Sequence, residues 1–150
     1  MTKENKEILL KYLCMALPYG VKILHEGWNF EWDDELSTVE RVVGIDEKFI
    51  YTKVIDTHNS EEYRDDKWPV DTFDDKPYLR PMSSMTEKEL IEFNNIPSTK
   101  NYQIVNGDLP WDVANYKQID WLLKNHFDFM GLIPKNLAIE VTEENNPYKD

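Results

Sequence analysis

VKILHEGWNFEW, residues 21–32, places Trp28, Phe30 and Trp32 at every second position, alternating with Asn29, Glu31 and Asp33. That period of two marks a strand with one face toward a core. Gly27 interrupts the run, so a bulge or a split into two shorter strands is expected there. Residues 38–45 and 48–56 read as two further strands, with Asp46-Glu47 as the turn of a hairpin. The last of these carries apolar residues on both faces, Phe49, Tyr51 and Ile55 against Ile50 and Val54. Burying both faces requires an antiparallel meander that curls, or a small, partly closed barrel.

Helical signals flank this block. Residues 4–17 repeat Ile8, Leu9, Tyr12, Leu13, Ala16 and Leu17 at three-to-four spacing, and Pro18-Tyr19-Gly20 ends them. Cys14 lies in that run and reads as a core thiol. With one cysteine in the chain, no internal disulfide can form. Thr86 and Glu89 form a capping box for a helix to about Asn95. A short extended piece is expected at residues 102–105, then a turn at Asn106-Gly107-Asp108. Asp108 is expected to cap a further helix, with Pro110 in its first turn. Tyr116, Ile119, Leu122, Leu123 and Phe127 form its apolar stripe, and Gly131 marks its end. Residues 137–141 read as a last strand and 142–150 as a frayed acidic tail. The fold class is α+β: an N-terminal helix, the meander or barrel, two C-terminal helices and a last strand. At 150 residues, with no repeat and no flexible linker, one domain is expected. Pro69, Pro77 and Pro81 make residues 57–85 a long acidic segment of irregular chain.

The formal net charge is −12, and it is concentrated. Residues 26–40 hold six acids and no base, and residues 56–76 hold eight acids against three bases. This distribution disfavours a nucleic-acid coat, which needs basic surface. Aromatic content of 13% disfavours disorder. No charge-free run exceeds Tyr12–Val21, too short for a bilayer, and the N-terminus carries both signs, unlike a secretory leader. A cytoplasmic protein with no nucleic acid and no membrane contact is the expectation. No phosphate loop, dinucleotide fingerprint, nucleophile elbow or zinc pattern occurs in the sequence, and no cofactor is expected.

The charged segments suggest a docking surface for a protein partner, built from Asp33, Asp34, Asp65, Asp66, Asp74, Asp75, Trp68 and Arg80. Arg80 follows as a cation that pairs with an Asp of the loop and pins it. Ser83, Ser84 and Thr86 read as turn and helix-start residues. A second reading uses His126 and Asp128, a close histidine–acid pair, with loop carboxylates as a metal site for a hydrolase or nuclease. The bland alternative for His126 is a helix-terminal contact with the last carbonyls. His25 reads as a core or edge residue and His58 as solvated. A third reading is a small-ligand site in the curled sheet, lined by Trp28, Trp32 and Tyr51.

Three stretches, LPYGVK (17–22), KPYLRPMSSMTE (76–87) and DWLLKNHFDFMGLI (120–133), resemble a family of short uncharacterised proteins of gut Bacteroidetes, their phages and mobile elements. The resemblance implies a bacterial cytosol and an accessory gene, with no activity or catalytic residue to carry over. The function expected from the chain is therefore that of a non-enzymatic interaction module.

Overall fold

The computed structural model describes residues 1–29, 31, 33–56, 61–97 and 114–149. Helix α1 spans Lys3–Ala16, and the Thr2 side chain caps it by accepting from the Asn5 amide. A 3-10 turn at Leu17–Tyr19 then reverses the chain through Gly20, which sits in the left-handed region at φ 68°. Four antiparallel strands follow: β1 Lys22–Asn29, β2 Asp34–Ile45, β3 Phe49–Ile55 and β4 Glu62–Pro69. After a second 3-10 turn come β5 Lys76–Leu79, α2 Glu87–Asn94, α3 Tyr116–Lys124 and β6 Ile139–Glu140. The sheet order is β4-β3-β2-β1-β5-β6, antiparallel except for β5 with β6. The sheet is open, with β4 and β6 at its edges, so the meander is what forms and the barrel does not.

One face of the sheet carries the core. Ile23, Val42 and Ile50 join Leu9 and Leu13 of α1, Phe93 of α2 and Leu122 of α3 in a single apolar cluster. Leu9, Leu13, Ile23, Ile50 and Leu122 are fully buried, each contributing about 1.5–3 kcal/mol through removal of apolar surface from water. β3 alternates cleanly, with Ile50, Thr52 and Val54 inward and Tyr51 exposed. The apolar residues on its two faces are explained by this one-sided core plus partial cover on the other side. Asp46 makes the β2–β3 turn by accepting from the Lys48 and Phe49 amides.

Several expectations are corrected. The irregular segment at 57–85 contains two strands, β4 and β5. Charged β4 is tolerated because it is an edge, where such side chains discourage further pairing, and Pro69 ends it. The bulge lies at Val43 in β2, where the register to β3 slips between Val42 and Gly44, while β1 pairs with β2 without a shift through Gly27. Cys14 is exposed: it lies one position beyond the buried pair Tyr12 and Leu13, on the solvent side of α1. α3 starts at Tyr116 under a capping box of Asn115 and Gln118; the expectation for Asp108 and Pro110 lies outside the described residues. Tyr116 is exposed, and Phe127 lies beyond the helix. The expectations for residues 102–105, for the turn at 106–108, and for His58, Phe30 and Trp32 lie outside the described residues. The tail is not frayed through its length, since Tyr148 packs into the protein.

Candidate functional site

β1 and β2 pair over eight positions, from Lys22 with Arg41 to Asn29 with Asp34. Their outer neighbours stop early: β3 reaches Val39, and β5 reaches Leu24. From His25 and Thr38 outward, no third strand pairs with this hairpin among the described residues. The two strands therefore run on as an arm, roughly 15 Å long at about 3.4 Å per residue. Glu26, Glu31, Asp33, Asp34 and Glu35 lie on or at the tip of the arm, and residues 26–37 contain no Lys or Arg. Trp28 is 46% exposed. Its side shares a shallow depression of about 390 Å³ with Glu26, Gly27, Glu35, Leu36 and Ser37. Asp33 takes a left-handed conformation in the turn, at φ 49°.

The root of the arm is a buried polar cluster. Antiparallel partners share a face, so His25, Thr38 and Glu40 continue the inward row of Ile23 and Val42. Glu40 is fully buried. It accepts from the Thr38 hydroxyl at 3.0 Å, the Thr52 hydroxyl at 2.5 Å and the Trp68 indole at 3.0 Å. These three donors compensate the loss of water around the carboxylate. The Trp68 ring stacks on His25 at 3.9 Å. His25 Nδ1 meets Asp75 Oδ2 at 2.9 Å. Burial pushes the Asp75 carboxyl up to about 6, against the opposing pull of His25. The His25 and Asp75 side chains are 15% and 8% exposed.

A histidine held by a carboxylate has the make-up of an acid–base dyad. Here the ring is enclosed by Trp68 on one face. Its Nε2 occupies the space a side chain at position 27 would take, since a Cβ there would lie 3.1 Å away. Gly27 thus provides clearance for His25 rather than a bulge. The cluster braces the arm against β4 and the chain leading into β5.

The acids expected to form one docking surface are split. Asp33 and Asp34 are exposed at the arm tip. Asp65 is on the outer face of β4, paired with Lys53 at 3.0 Å. Asp66 points to the other face and accepts from two nitrogens of Arg64. Asp74 is exposed, while Asp75 and Trp68 belong to the root cluster. Arg80 does not pair with an Asp of the loop. It makes a two-pronged pair with Glu89 of α2, both bonds at 2.8 Å, and lies 4.2 Å over the Phe127 ring. This pair holds the Glu89 carboxyl down to about 2. Glu89 also reciprocates the Thr86 cap, and Ser84 bonds the Pro81 carbonyl, as turn residues should.

His126 and Asp128 do different work. The His126 amide bonds Leu123 and the Phe127 amide bonds Leu122, which closes α3 in the pattern normally built on glycine. His126 occupies the glycine seat, at φ 60°. Its ring stacks on Tyr148 at 3.6 Å, its Nδ1 has no hydrogen-bond partner among the described residues, and burial holds the imidazole down to about 4. Both oxygens of Asp128 accept backbone amides, from Leu132 and Ile133 at 2.8 Å. Among the described residues, no three His, Cys, Asp or Glu side chains are grouped to hold a metal ion. Of the third reading, Trp28 and Tyr51 are both exposed; they do not line a common interior cavity.

Sequence reasoning missed the root cluster. One signal was present: Glu40 falls on an inward position between Thr38 and Val42. Its partners, 12 and 28 residues away, and the His25–Asp75 pair, 50 residues apart, are joined only by the sheet register. No family model matches this sequence, and neither the curated proteins nor the solved structures show a significant similarity to it. No helix among the described residues is long and apolar enough to cross a membrane. The architecture is that of an α+β protein with an open six-stranded sheet and a projecting acidic hairpin.

Proposed function

We propose that this protein is a non-enzymatic interaction module that presents the β1–β2 arm to a basic surface of a protein partner. The observation that carries the reading is the arm itself: two strands that outrun their neighbours, carry only acidic charge beyond His25 and Thr38, and leave a tryptophan 46% exposed. Acidic charge steers a basic partner and sets the salt dependence of the encounter. Trp28 supplies the aromatic anchor typical of the residues that dominate binding energy. The root cluster supports the same role, since an arm fixed at its base loses less freedom on binding. The same charge disfavours a phosphate backbone as ligand. The bacterial cytosol is the setting that the sequence resemblance implies.

The test is capture of partners from a gut-anaerobe lysate on immobilised protein. Wild type is compared with Trp28→Ala and with a triple reversal, Asp33→Lys, Asp34→Lys and Glu35→Lys. A protein captured in stoichiometric amount by wild type, released by moderate salt and lost in both variants supports the arm. Equal capture by all three proteins, or capture indifferent to salt, overturns it.

A further inference from the structure

β1 and β5 pair at only two positions, Ile23 with Pro77 and Leu24 with Lys76. Pro77 has no amide to donate. The next position places Lys22 opposite Tyr78, and there the strands do not bond directly. The Lys22 amide donates to the Tyr148 hydroxyl at 3.0 Å, and that hydroxyl donates to the Tyr78 carbonyl at 3.0 Å. A phenol both accepts and donates, so one side chain from the C-terminal segment closes a rung that the two strands leave open.

The segment is built to deliver that side chain. The Val141 amide bonds Leu79, prolonging β6 along β5. Thr142 and Asn145 then bond each other's amides, and Asn145 reaches back to the Glu140 carbonyl. Asn146 accepts from the Tyr148 amide. Lys22 Nζ donates to the Pro147 carbonyl at 2.6 Å and lies over the Tyr148 ring. His126 covers that ring by stacking.

We propose that residues 141–149 are a latch: Tyr148 holds β5 onto β1, and withdrawal of the segment loosens β5 together with Asp75, which braces His25 at the root of the arm. The logic is the shortness of the seam. β5 is tied to β1 at one end through Asp75 and His25, at the other through Tyr148, with two rungs between. Two rungs with one proline do not make a self-sufficient pairing. The latch stands whatever the arm binds.

Tyr148→Phe keeps the ring and its stacking and deletes only the bridge. Amide hydrogen exchange and the ring resonances of His25 are read by NMR. Exchange at Lys22 and Leu24 is expected to quicken roughly threefold to tenfold, the effect of losing one ordinary hydrogen bond. Leu13 and Val54 should keep their wild-type rates, and the His25 resonances should move toward those of an Asp75→Asn protein. Unchanged exchange at Lys22, or equal acceleration throughout the core, overturns the latch. Faster exchange at Lys22 with His25 unmoved overturns its coupling to the arm.

Discussion

The two ends of β1 meet the rest of the protein in opposite ways. At Lys22 the strand is clamped by a distant tyrosine, next to Arg80, His126 and the closing turn of α3. At His25 it leaves the sheet and becomes an acidic arm, braced by Asp75, Trp68 and Glu40. The first corner is cationic: Lys22 and Arg80 both contribute to holding His126 neutral, after burial itself. The second is anionic, and Asp74 and Glu40 add to the burial that raises Asp75. A chain of net charge −12 thus separates its charge along one strand, with the acids Asp33, Asp34 and Glu35 exposed at the arm end.

The largest expected effect is at the arm root. Glu40→Ala leaves two hydroxyls and an indole N–H without their acceptor, and should cost about 3–5 kcal/mol in urea denaturation. Glu40→Gln, which retains an acceptor oxygen, should cost clearly less. Equal losses from both would mean that Glu40 acts by volume and not by its hydrogen bonds. At the other corner, Arg80→Ala removes a two-pronged, mostly buried pair and should cost about 2 kcal/mol. A loss below the error of the unfolding curves would show that solvent screens the pair.

Acid should separate the two corners by the sign of their response. The folded values of His126 and Glu89 lie below their ordinary ones. Their contributions are therefore complete above the unfolded values. His126 loses its share as pH falls from about 6.5 through about 4, and Glu89 as pH falls from about 4.5 through about 2. Asp75 is raised, so its contribution is complete below the ordinary carboxylate value and is lost as pH rises through about 6. Following the His126 ring protons and the Asp75 carboxyl carbon by NMR tests this directly. Midpoints at the free values for both groups would erase the contrast.

The smallest effect on stability is expected at the arm. Trp28→Ala should move the unfolding free energy by no more than about 0.5 kcal/mol. It should nevertheless weaken partner binding by about tenfold or more. A large stability loss would mean that Trp28 packs as core.

Much of the fold was legible in the sequence because its signals are local. The strand at Lys22–Asn29, the Thr86–Glu89 capping box and the Asp46 turn each depend on neighbours a few residues away, and each forms; which face of that strand meets the core was misread, since Trp28 is 46% exposed and Ile23 is buried. β4 was not legible, because an edge strand needs no apolar face and Glu62–Pro69 reads as charged loop. Cys14 misled for a related reason: its apolar neighbours suggested a core, but helical rotation sets its exposure. Of the candidate site, the acidic arm could be read from composition, whereas its root could not.

By itself, then, the sequence determined the helices with the Thr86–Glu89 cap, the hairpin of β2 and β3 and the concentration of acid in two segments. These follow from short-range backbone geometry and from charge, which no folding changes. Tertiary structure alone decided that Asp75 and Trp68 turn inward to His25, that Arg80 pairs with Glu89, and that Tyr148 returns across 126 residues to the Lys22 amide. Those contacts depend on strand register and on which polar groups burial leaves in need of a partner. Both are set only once the sheet has assembled.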